Sequence, residues 1–227
     1  MEKNLVMSGL YLEAFSVPIS IVDLNVYDDM DELNNALCED IKNIMATNKA
    51  EIRTFRGNTY QSEVNLEKKY ESFEELRLRL NEAVKQPLLR HGVVREVVEK
   101  NVLLFGLWFN AINGSGFSVP HMHTGRRVGL WTGSYYPMGK DISIEDMICS
   151  DRDSVYSPGN LIIEDNNLAI KDSLSFRKTQ TPSNSLRIGV RPKKGAVVFF
   201  PCWLQHWVYP TVNDIRYSIS FTVTQQL

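Results

Sequence analysis

Two histidines separated by a single residue stand out in the second half of the chain. His121 and His123 lie in the segment SVPHMHTG, directly after a proline. On an extended strand, residues two apart point to the same side, so these imidazoles would lie about 7 Å apart, given a rise of roughly 3.3 Å per residue. Imidazole is the commonest metal ligand among side chains, and two rings at that separation can converge on one metal ion.

A third histidine, His206, lies further along in the segment FFPCWLQHWVYP. The preceding run AVVFF is apolar and ends at a proline, so it predicts a buried strand, with His206 on the next extended piece. If two sheets pack face to face, this ring can lie beside His121. Three imidazoles indicate a metal site more strongly than the His-x-His pair alone, which is more often hydrogen-bonded structure.

The last apolar segment, IRYSISFTV, alternates between apolar and polar residues and predicts a strand with Arg216 and Ser218 on one face. A guanidinium and a hydroxyl that point the same way can bind a carboxylate bidentately, with one added hydrogen bond. Inside a small barrel this guanidinium would otherwise be a costly unpaired charge. The alternative is an exposed arginine on an edge strand.

The elements that must position these side chains are predicted to be strands. Five β-rich segments follow one another, at 101–112, 128–137, 159–167, 195–210 and 214–224. Strands separated by turn signals predict a sandwich, a jelly roll or a barrel. Two long connections are expected to be functional loops that contact substrate, and the second runs into a basic stretch interpreted as a solvated face. These connections are 137–159 and 166–187.

The first hundred residues are expected to be mixed and weighted toward helix. Apolar residues at three- and four-residue spacing predict an amphipathic helix from Met30. A second helix is predicted to begin at Ser72, where Glu75 completes a capping box. Pro87 is expected to kink or end this helix, because proline lacks the backbone N–H that the helix interior needs.

Composition places the chain among globular proteins. It has 227 residues, 43% of them hydrophobic and 23% charged, with a net charge of −2. This balance excludes a disordered chain and gives no strong field for nucleic acid or an anionic membrane. Three widely spaced cysteines argue against a disulfide framework and suit a reducing compartment. With no targeting or membrane-spanning segment, the chain is predicted to be cytoplasmic.

The order of these motifs resembles the non-haem Fe(II), 2-oxoglutarate-dependent oxygenases, and more narrowly a bacterial and phage group that is prolyl-hydroxylase-like. The matching segments cover nearly the whole chain: NTYQS (58–62), WFN (108–110), HMH (121–123), GSYYP (133–137), GNLIIED (159–165), GAVVFFPCWLQH (195–206) and RYSISF (216–221). The resemblance implies a mostly β fold, a double-stranded β-helix (jelly-roll, cupin-like) core at 101–227. Residues 1–100 would form a helix-rich support layer within one domain, 1–227.

The resemblance also implies residue roles. His121 matches the first iron ligand, His206 the distal ligand, and Arg216 the residue that binds the far carboxylate of 2-oxoglutarate, so these three are the expected catalytic residues. Ser218 would assist Arg216. The implied reaction uses Fe(II), 2-oxoglutarate and O2, and hydroxylates a substrate with release of succinate and CO2. Further hydrogen bonds to the co-substrate are expected from Asn110 and Tyr135.

The third metal ligand departs from the family pattern, in which an aspartate or glutamate follows the first histidine by two residues. Here His123 takes that position. Either His123 ligates directly, or a carboxylate from Glu164 or Asp165 takes its place, or the site has two protein ligands. Direct ligation is favoured, because the spacing already places His123 correctly.

Two other functions stay open at this point. One is a three-histidine cupin-type metalloprotein that does not use 2-oxoglutarate, although such a site has no evident need for Arg216. The other is a non-catalytic binding module on the same fold. The substrate could be a protein side chain, a nucleic acid or a small metabolite, and the oligomeric state is open, a homodimer included.

Overall fold

The computed structural model describes residues 17–49, 55–123, 131–165, 181–182, 185–212 and 215–225. The strands in these ranges are β1 (Ser20–Asp23), β2 (Phe55–Arg56), β3 (Thr59–Gln61), β4 (Val102–Ile112), β5 (Phe117–Ser118), β6 (Trp131–Tyr135), β7 (Ile148–Cys149), β8 (Leu161–Glu164), β9 (Arg187–Val190), β10 (Ala196–Pro201), β11 (Gln205–Val208) and β12 (Arg216–Gln225). The helices are α1 (Met30–Thr47), α2 (Glu71–Arg90), α3 (Arg95–Asn101) and α4 (Arg152–Val155), with 3₁₀ turns at Leu66–Lys68 and Glu145–Met147.

Two antiparallel sheets form the core. The major sheet has the strand order β1-β10-β6-β12-β4-β3, and the minor sheet has the order β11-β8-β9-β7. Their facing sides share one apolar cluster, whose members include Ile112, Leu161, Ile163, Val190, Val198, Phe200 and Val208. This arrangement confirms the predicted double-stranded β-helix core.

The other face of the major sheet is covered by helices. Periodic apolar residues of α1 and α2 are fully or almost fully buried against it, as the spacing predicts: Leu37, Ile41, Ile44, Phe73, Leu76, Leu80 and Val84. They pack with sheet residues that include Phe109, Phe199, Ile219 and Phe221. The predicted helical support layer is therefore confirmed. The assignment of the whole chain to one domain stays a prediction.

A β-bulge shapes the long pairing between β4 and β12. The register shifts between Ser220, which lies opposite Trp108, and Thr222, which lies opposite Phe105, so β4 holds one extra residue there. Gly106 adopts φ 69° at this point, a left-handed conformation that glycine takes without steric cost. Both carboxylate oxygens of buried Glu67 accept backbone N–H groups of the bulge, at 3.0 and 2.9 Å. The bulge is therefore fixed by a charge-assisted pair of hydrogen bonds.

The predicted capping box of α2 and an end of the helix at Pro87 are both wrong. The helix begins at Glu71 and has no side-chain cap, because the hydroxyl of Ser72 donates instead to Asp40 on α1, at 2.5 Å. It also continues through Pro87 as far as Arg90. Pro87 itself is buried, so tertiary packing offsets the missing backbone hydrogen bond.

The two long connections differ from a plain loop where the structure describes them. The first contains the 3₁₀ turn at 145–147, β7 and α4. The second lies mostly outside the described residues, but it leads into β9, which the sequence did not predict. The later members of its basic stretch, from Arg187 to Lys194, are described. No helix in the described part of the chain is both long and apolar enough to cross a membrane.

Candidate metal centre and anion pocket

The fold brings the three predicted histidines together. Their ring nitrogens available to a metal all lie within 4.8 Å of one another. Ring centroids are 4.4 Å apart for His121 and His206, 5.0 Å for His123 and His206, and 5.4 Å for His121 and His123. Three imidazoles at this separation can bind a single metal ion.

Backbone pairing explains why residues distant in sequence meet. His121 and His206 exchange two backbone hydrogen bonds, at 3.0 and 2.9 Å, so the segment before residue 124 lies along the free edge of β11. The backbone N–H of His123 donates to the carbonyl of Cys202 at 2.9 Å, in the turn before that strand. The ligand segments are thus held by main chain, independently of any metal.

Hydrogen bonds also set which ring nitrogens face the shared space. Nδ1 of His121 lies 2.8 Å from the carbonyl oxygen of Val119, and Nδ1 of His206 lies 2.9 Å from that of Leu204. Because a carbonyl oxygen only accepts, each Nδ1 carries the proton and donates it. The lone pair is then on Nε2, which is the form that binds a metal.

All three imidazoles are neutral near pH 7. Burial lowers the pKa of His121, and burial together with the neighbouring ring of His121 lowers the pKa of His123 to about 4. The pKa of His206 lies well below its usual range, chiefly because the ring is buried. Among the residues that the structure describes, no acidic side chain contributes to these shifts. Metal binding requires neutral imidazole, so the electrostatics match the geometry.

Aromatic side chains flank the cluster. Phe200 packs edge-on against His206 with centroids 4.9 Å apart, and Trp108 lies 5.9 Å from His123. Trp108 was not predicted as a site residue, although it lies on the same face of β4 as Asn110, two positions away. These rings cover part of the cluster, while the rings of His121 and His123 are partly exposed.

The two carboxylates considered as alternative ligands are not in the cluster, which contains imidazoles alone among the described residues. Ile163 lies directly opposite His206, so the next residue, Glu164, points to the other face of the minor sheet. There its carboxylate forms an ion pair with Arg187. Asp165 follows the end of β8 and is not among the clustered ligand atoms.

Arg216 lies inside the protein, with 7% of its surface exposed. Its Nη1 donates to the hydroxyl of Ser218 at 2.9 Å, whereas Nε and Nη2 are buried without a hydrogen-bond partner. The guanidinium lies over the ring of Tyr136, with 5.2 Å between Cζ and the ring centroid. Burial lowers the pKa of Arg216, and the neighbouring Tyr136 partly offsets this effect. Two unpartnered donors on a buried cation form a site for an anion.

Asn110 faces the same interior. It lies opposite Ser218 in the pairing of β4 with β12, and its Nδ2 donates to Ser220 Oγ at 3.2 Å. Its Oδ1 is buried without a partner. The inward direction expected for Asn110 therefore agrees with the structure, and its contact with the co-substrate stays a prediction.

Tyr135 is not brought to this interior. It lies opposite Ile219 in the sheet and packs in the helix-facing cluster, where its hydroxyl donates to Asn34 Oδ1 at 2.6 Å. The next residue, Tyr136, faces the interior instead, with a buried hydroxyl that has no partner. Successive strand residues alternate between faces, so the predicted inward direction of Tyr135 is wrong by one residue. No local sequence pattern distinguishes the two tyrosines, because the face is set by the pairing of β6 with β10 and β12.

Comparison with known proteins decides the family. Residues 106–222, slightly more than half of the chain, match the family described as "Putative 2OG-Fe(II) oxygenase". The chain belongs to this family of 2-oxoglutarate- and Fe(II)-dependent oxygenases. A search of curated proteins finds no match.

Solved structures share the fold of this oxygenase. The Pseudomonas putida prolyl-4-hydroxylase has a TM-score of 0.60 and 13% identity, over 93% of this chain and 94% of that one. A Trichoplax adhaerens prolyl hydroxylase, crystallised with a hypoxia inducible factor peptide fragment, has a TM-score of 0.55 and 13% identity, over 91% and 83%. HygX from Streptomyces hygroscopicus, crystallised with nickel and 2-oxoglutarate, has a TM-score of 0.51 and 13% identity, over 92% and 83%.

The chemistry of the donor set agrees with the family's requirements. The family uses Fe(II), 2-oxoglutarate and O2, and the three-histidine cluster fits its iron site. The unpartnered donors of Arg216 fit a carboxylate such as the one at the far end of 2-oxoglutarate. Membership of an oxygenase family also argues against the two other functions left open by the sequence.

Proposed function

We propose that the protein hydroxylates a C–H bond of its substrate, with His121, His123 and His206 as the three protein ligands of Fe(II). Support comes from the convergence of their ring nitrogens within 4.8 Å and from the neutral charge of all three rings. The position of Glu164 on the other face, paired to Arg187, supports His123 rather than Glu164 as the third ligand. This is a three-histidine centre rather than the two-histidine, one-carboxylate set common to non-haem iron oxygenases.

Arg216 is proposed to hold the far carboxylate of 2-oxoglutarate, through Nε and Nη2. The single observation that carries this role is a buried guanidinium with two unpartnered donors. The strand paired with β12 carries Trp108, whose ring centroid lies 5.9 Å from that of His123. Ser218 accepts a hydrogen bond from Nη1 and so fixes the orientation of the group. Tyr136 adds a hydroxyl beside the guanidinium, and Asn110 a polar group opposite Ser218.

Each side chain then has a definable task. When bound, Fe(II) with 2-oxoglutarate and O2 supplies oxidative decarboxylation and hydroxylation, with release of succinate and CO2. His121 and His206 would hold the metal through Nε2, since backbone carbonyls hold their Nδ1 atoms. Arg216 fixes the direction of the co-substrate, and the rings of Trp108 and Phe200 cover part of the cluster.

The test is formation of succinate from 2-oxoglutarate by the purified protein. The proposal expects turnover that requires both Fe(II) and O2, that is lost in His206→Ala, and that persists in Glu164→Gln, which alters a carboxylate outside the cluster. Metal binding without consumption of 2-oxoglutarate would favour the cupin-type alternative. Absence of metal binding would favour the non-catalytic module.

A further inference from the structure

The bulge in β4 determines which of its side chains reach the interior of the protein. On β12 the alternation of faces is unbroken: Ile219 and Phe221 belong to the helix-facing cluster, and Ser218 lies on the other face. The extra residue in β4 reverses the alternation for the residues that follow it, because the side-chain period of a strand is two. As a result Trp108 and Asn110 share the face of Ser218, whereas an unbroken strand would direct both of them toward the helices.

Both of these residues lie at the site. The ring centroid of Trp108 is 5.9 Å from that of His123, one of the three clustered imidazoles. Asn110 pairs with Ser218, whose hydroxyl accepts the hydrogen bond from Arg216. The Oδ1 atom of Asn110 is buried without a partner, so it is available to a ligand of this interior. The bulge therefore places one side chain beside the metal cluster and another beside the partner of Arg216.

A single carboxylate holds the bulge. Within the described pairing of β4 with β12, Gly106 and Leu107 have no opposite residue. Their backbone N–H groups donate instead to the two carboxylate oxygens of Glu67, which is 8% exposed, at 3.0 and 2.9 Å. The 3₁₀ turn that carries Glu67 follows Asn65, whose φ of 66° is uncommon for a residue other than glycine. A buried carboxylate and a left-handed backbone are both costly, and together they present two acceptors to the bulge.

We infer that Glu67 is a positioning residue of the oxygenase site, which acts by holding the bulge that places Trp108 and Asn110 in the interior where 2-oxoglutarate binds. The inference rests on the proposed function above. Glu67 acts through the strand, since its carboxylate binds the backbone of β4. The metal ligands depend on other contacts, chiefly the backbone pairing of His121 with His206. Loss of Glu67 should therefore weaken the binding of 2-oxoglutarate and leave the affinity for the metal unchanged.

Two substitutions disturb the bulge, and a third is their matched control. Glu67→Gln keeps the shape of the side chain but turns one acceptor into a donor that faces a backbone N–H. Gly106→Ala keeps Glu67 and strains the bulge, because Gly106 has φ 69° and alanine disfavours this left-handed conformation. Gly92→Ala imposes the same strain just after the end of α2, where φ is 78°. A Cβ atom at either glycine would meet no atom within 4 Å, so neither alanine adds a collision.

The experiment uses the full chain loaded with Co(II) in the absence of O2, so that 2-oxoglutarate binds without turnover. Calorimetric titration gives the affinities for Co(II) and for 2-oxoglutarate at a temperature well below the Tm of every variant. The wild type is measured first, and failure to bind either one contradicts the proposed function. The inference expects Glu67→Gln and Gly106→Ala to weaken 2-oxoglutarate binding by about fivefold or more, as for the loss of one neutral hydrogen bond, and to change Co(II) affinity by no more than about twofold.

Gly92→Ala should lose stability and bind 2-oxoglutarate like the wild type. Wild-type affinity for 2-oxoglutarate in a folded bulge variant would make Glu67 a structural residue only and overturn the inference. An equal loss in Gly92→Ala would overturn it as well, because the effect would then come from general destabilisation. A loss of Co(II) affinity as large as that of 2-oxoglutarate also overturns it, since the whole site would be disturbed. Gly106→Ala decides the question should Glu67→Gln fail to fold.

Discussion

Replacing Arg216 by methionine is expected to stabilise the ligand-free protein while it removes the affinity for 2-oxoglutarate. The guanidinium is 7% exposed and leaves Nε and Nη2 without partners. Each buried, unsatisfied group costs about 1–3 kcal/mol. Methionine fills a similar volume with no polar atom, so it avoids this cost.

The gain is partly offset by the loss of the hydrogen bond to Ser218, whose hydroxyl is itself 2% exposed. The net increase in the free energy of unfolding is expected to be about 2 kcal/mol, which corresponds to a rise in Tm of about 4–8 °C for a chain of this length. Conversely, losing two charge-assisted hydrogen bonds to a carboxylate is expected to weaken 2-oxoglutarate binding by at least about 3 kcal/mol, or about a hundredfold in Kd.

Thermal or denaturant unfolding of the metal-free protein measures the first effect, and calorimetric titration of the Co(II) form with 2-oxoglutarate measures the second. Ser218→Ala is the matched control, because it removes the acceptor of Nη1 and leaves the cation in place, so it should lower stability. A methionine variant that is less stable than the wild type and binds 2-oxoglutarate normally would refute the assignment of Arg216 as a preorganised anion site.

Three further predictions concern other parts of the molecule. His123→Ala should lower the affinity for Co(II) at least tenfold, and Glu164→Gln should change it by no more than about twofold, as measured by competition with a chelator. A larger loss of affinity in Glu164→Gln than in His123→Ala would identify the carboxylate as the ligand. Glu67→Gln should lower the free energy of unfolding, measured with urea, by about 1–3 kcal/mol, because one of the two charge-assisted hydrogen bonds that fix the bulge in β4 is lost. An unchanged urea midpoint would contradict this role of Glu67. Gly133→Ala should lower the free energy of unfolding by about 3 kcal/mol or prevent folding, because the new methyl group would collide with Phe221 and a carbonyl of β10. A variant with the wild-type Tm would contradict this prediction and show that the sheet adjusts at this position.

Sequence patterns predicted the parts of the structure that depend on local periodicity. The apolar spacing from Met30 predicted α1, and the alternation around Arg216 and Ser218 placed both side chains on the interior face of β12. The prediction that His121 and His206 meet is confirmed, although the cause is direct backbone pairing of the two segments and not the packing of two facing sheets. The inferences about α1 and β12 needed only the side-chain period of one element.

The parts that local patterns missed depend on contacts distant in sequence. Ser72 and Glu75 have the spacing of a capping box, yet the hydroxyl of Ser72 is taken by Asp40 on the neighbouring helix. Tyr135 and Tyr136 are adjacent and chemically identical, so composition could not decide which one faces Arg216. The face is set by the pairing of β6 with β10 and β12, which no local pattern encodes.

The central claim is that three imidazoles and one guanidinium bind Fe(II) and 2-oxoglutarate in a common interior. The most direct measurement is X-ray diffraction at the iron absorption edge from crystals soaked with both ligands under anaerobic conditions. The account predicts one anomalous peak about 2.1 Å from Nε2 of His121 and His206 and from a ring nitrogen of His123, a typical metal–imidazole distance, with the far carboxylate of 2-oxoglutarate on Arg216. An iron ion held by Glu164 or Asp165 instead of His123, or a 2-oxoglutarate that does not touch Arg216, would contradict it.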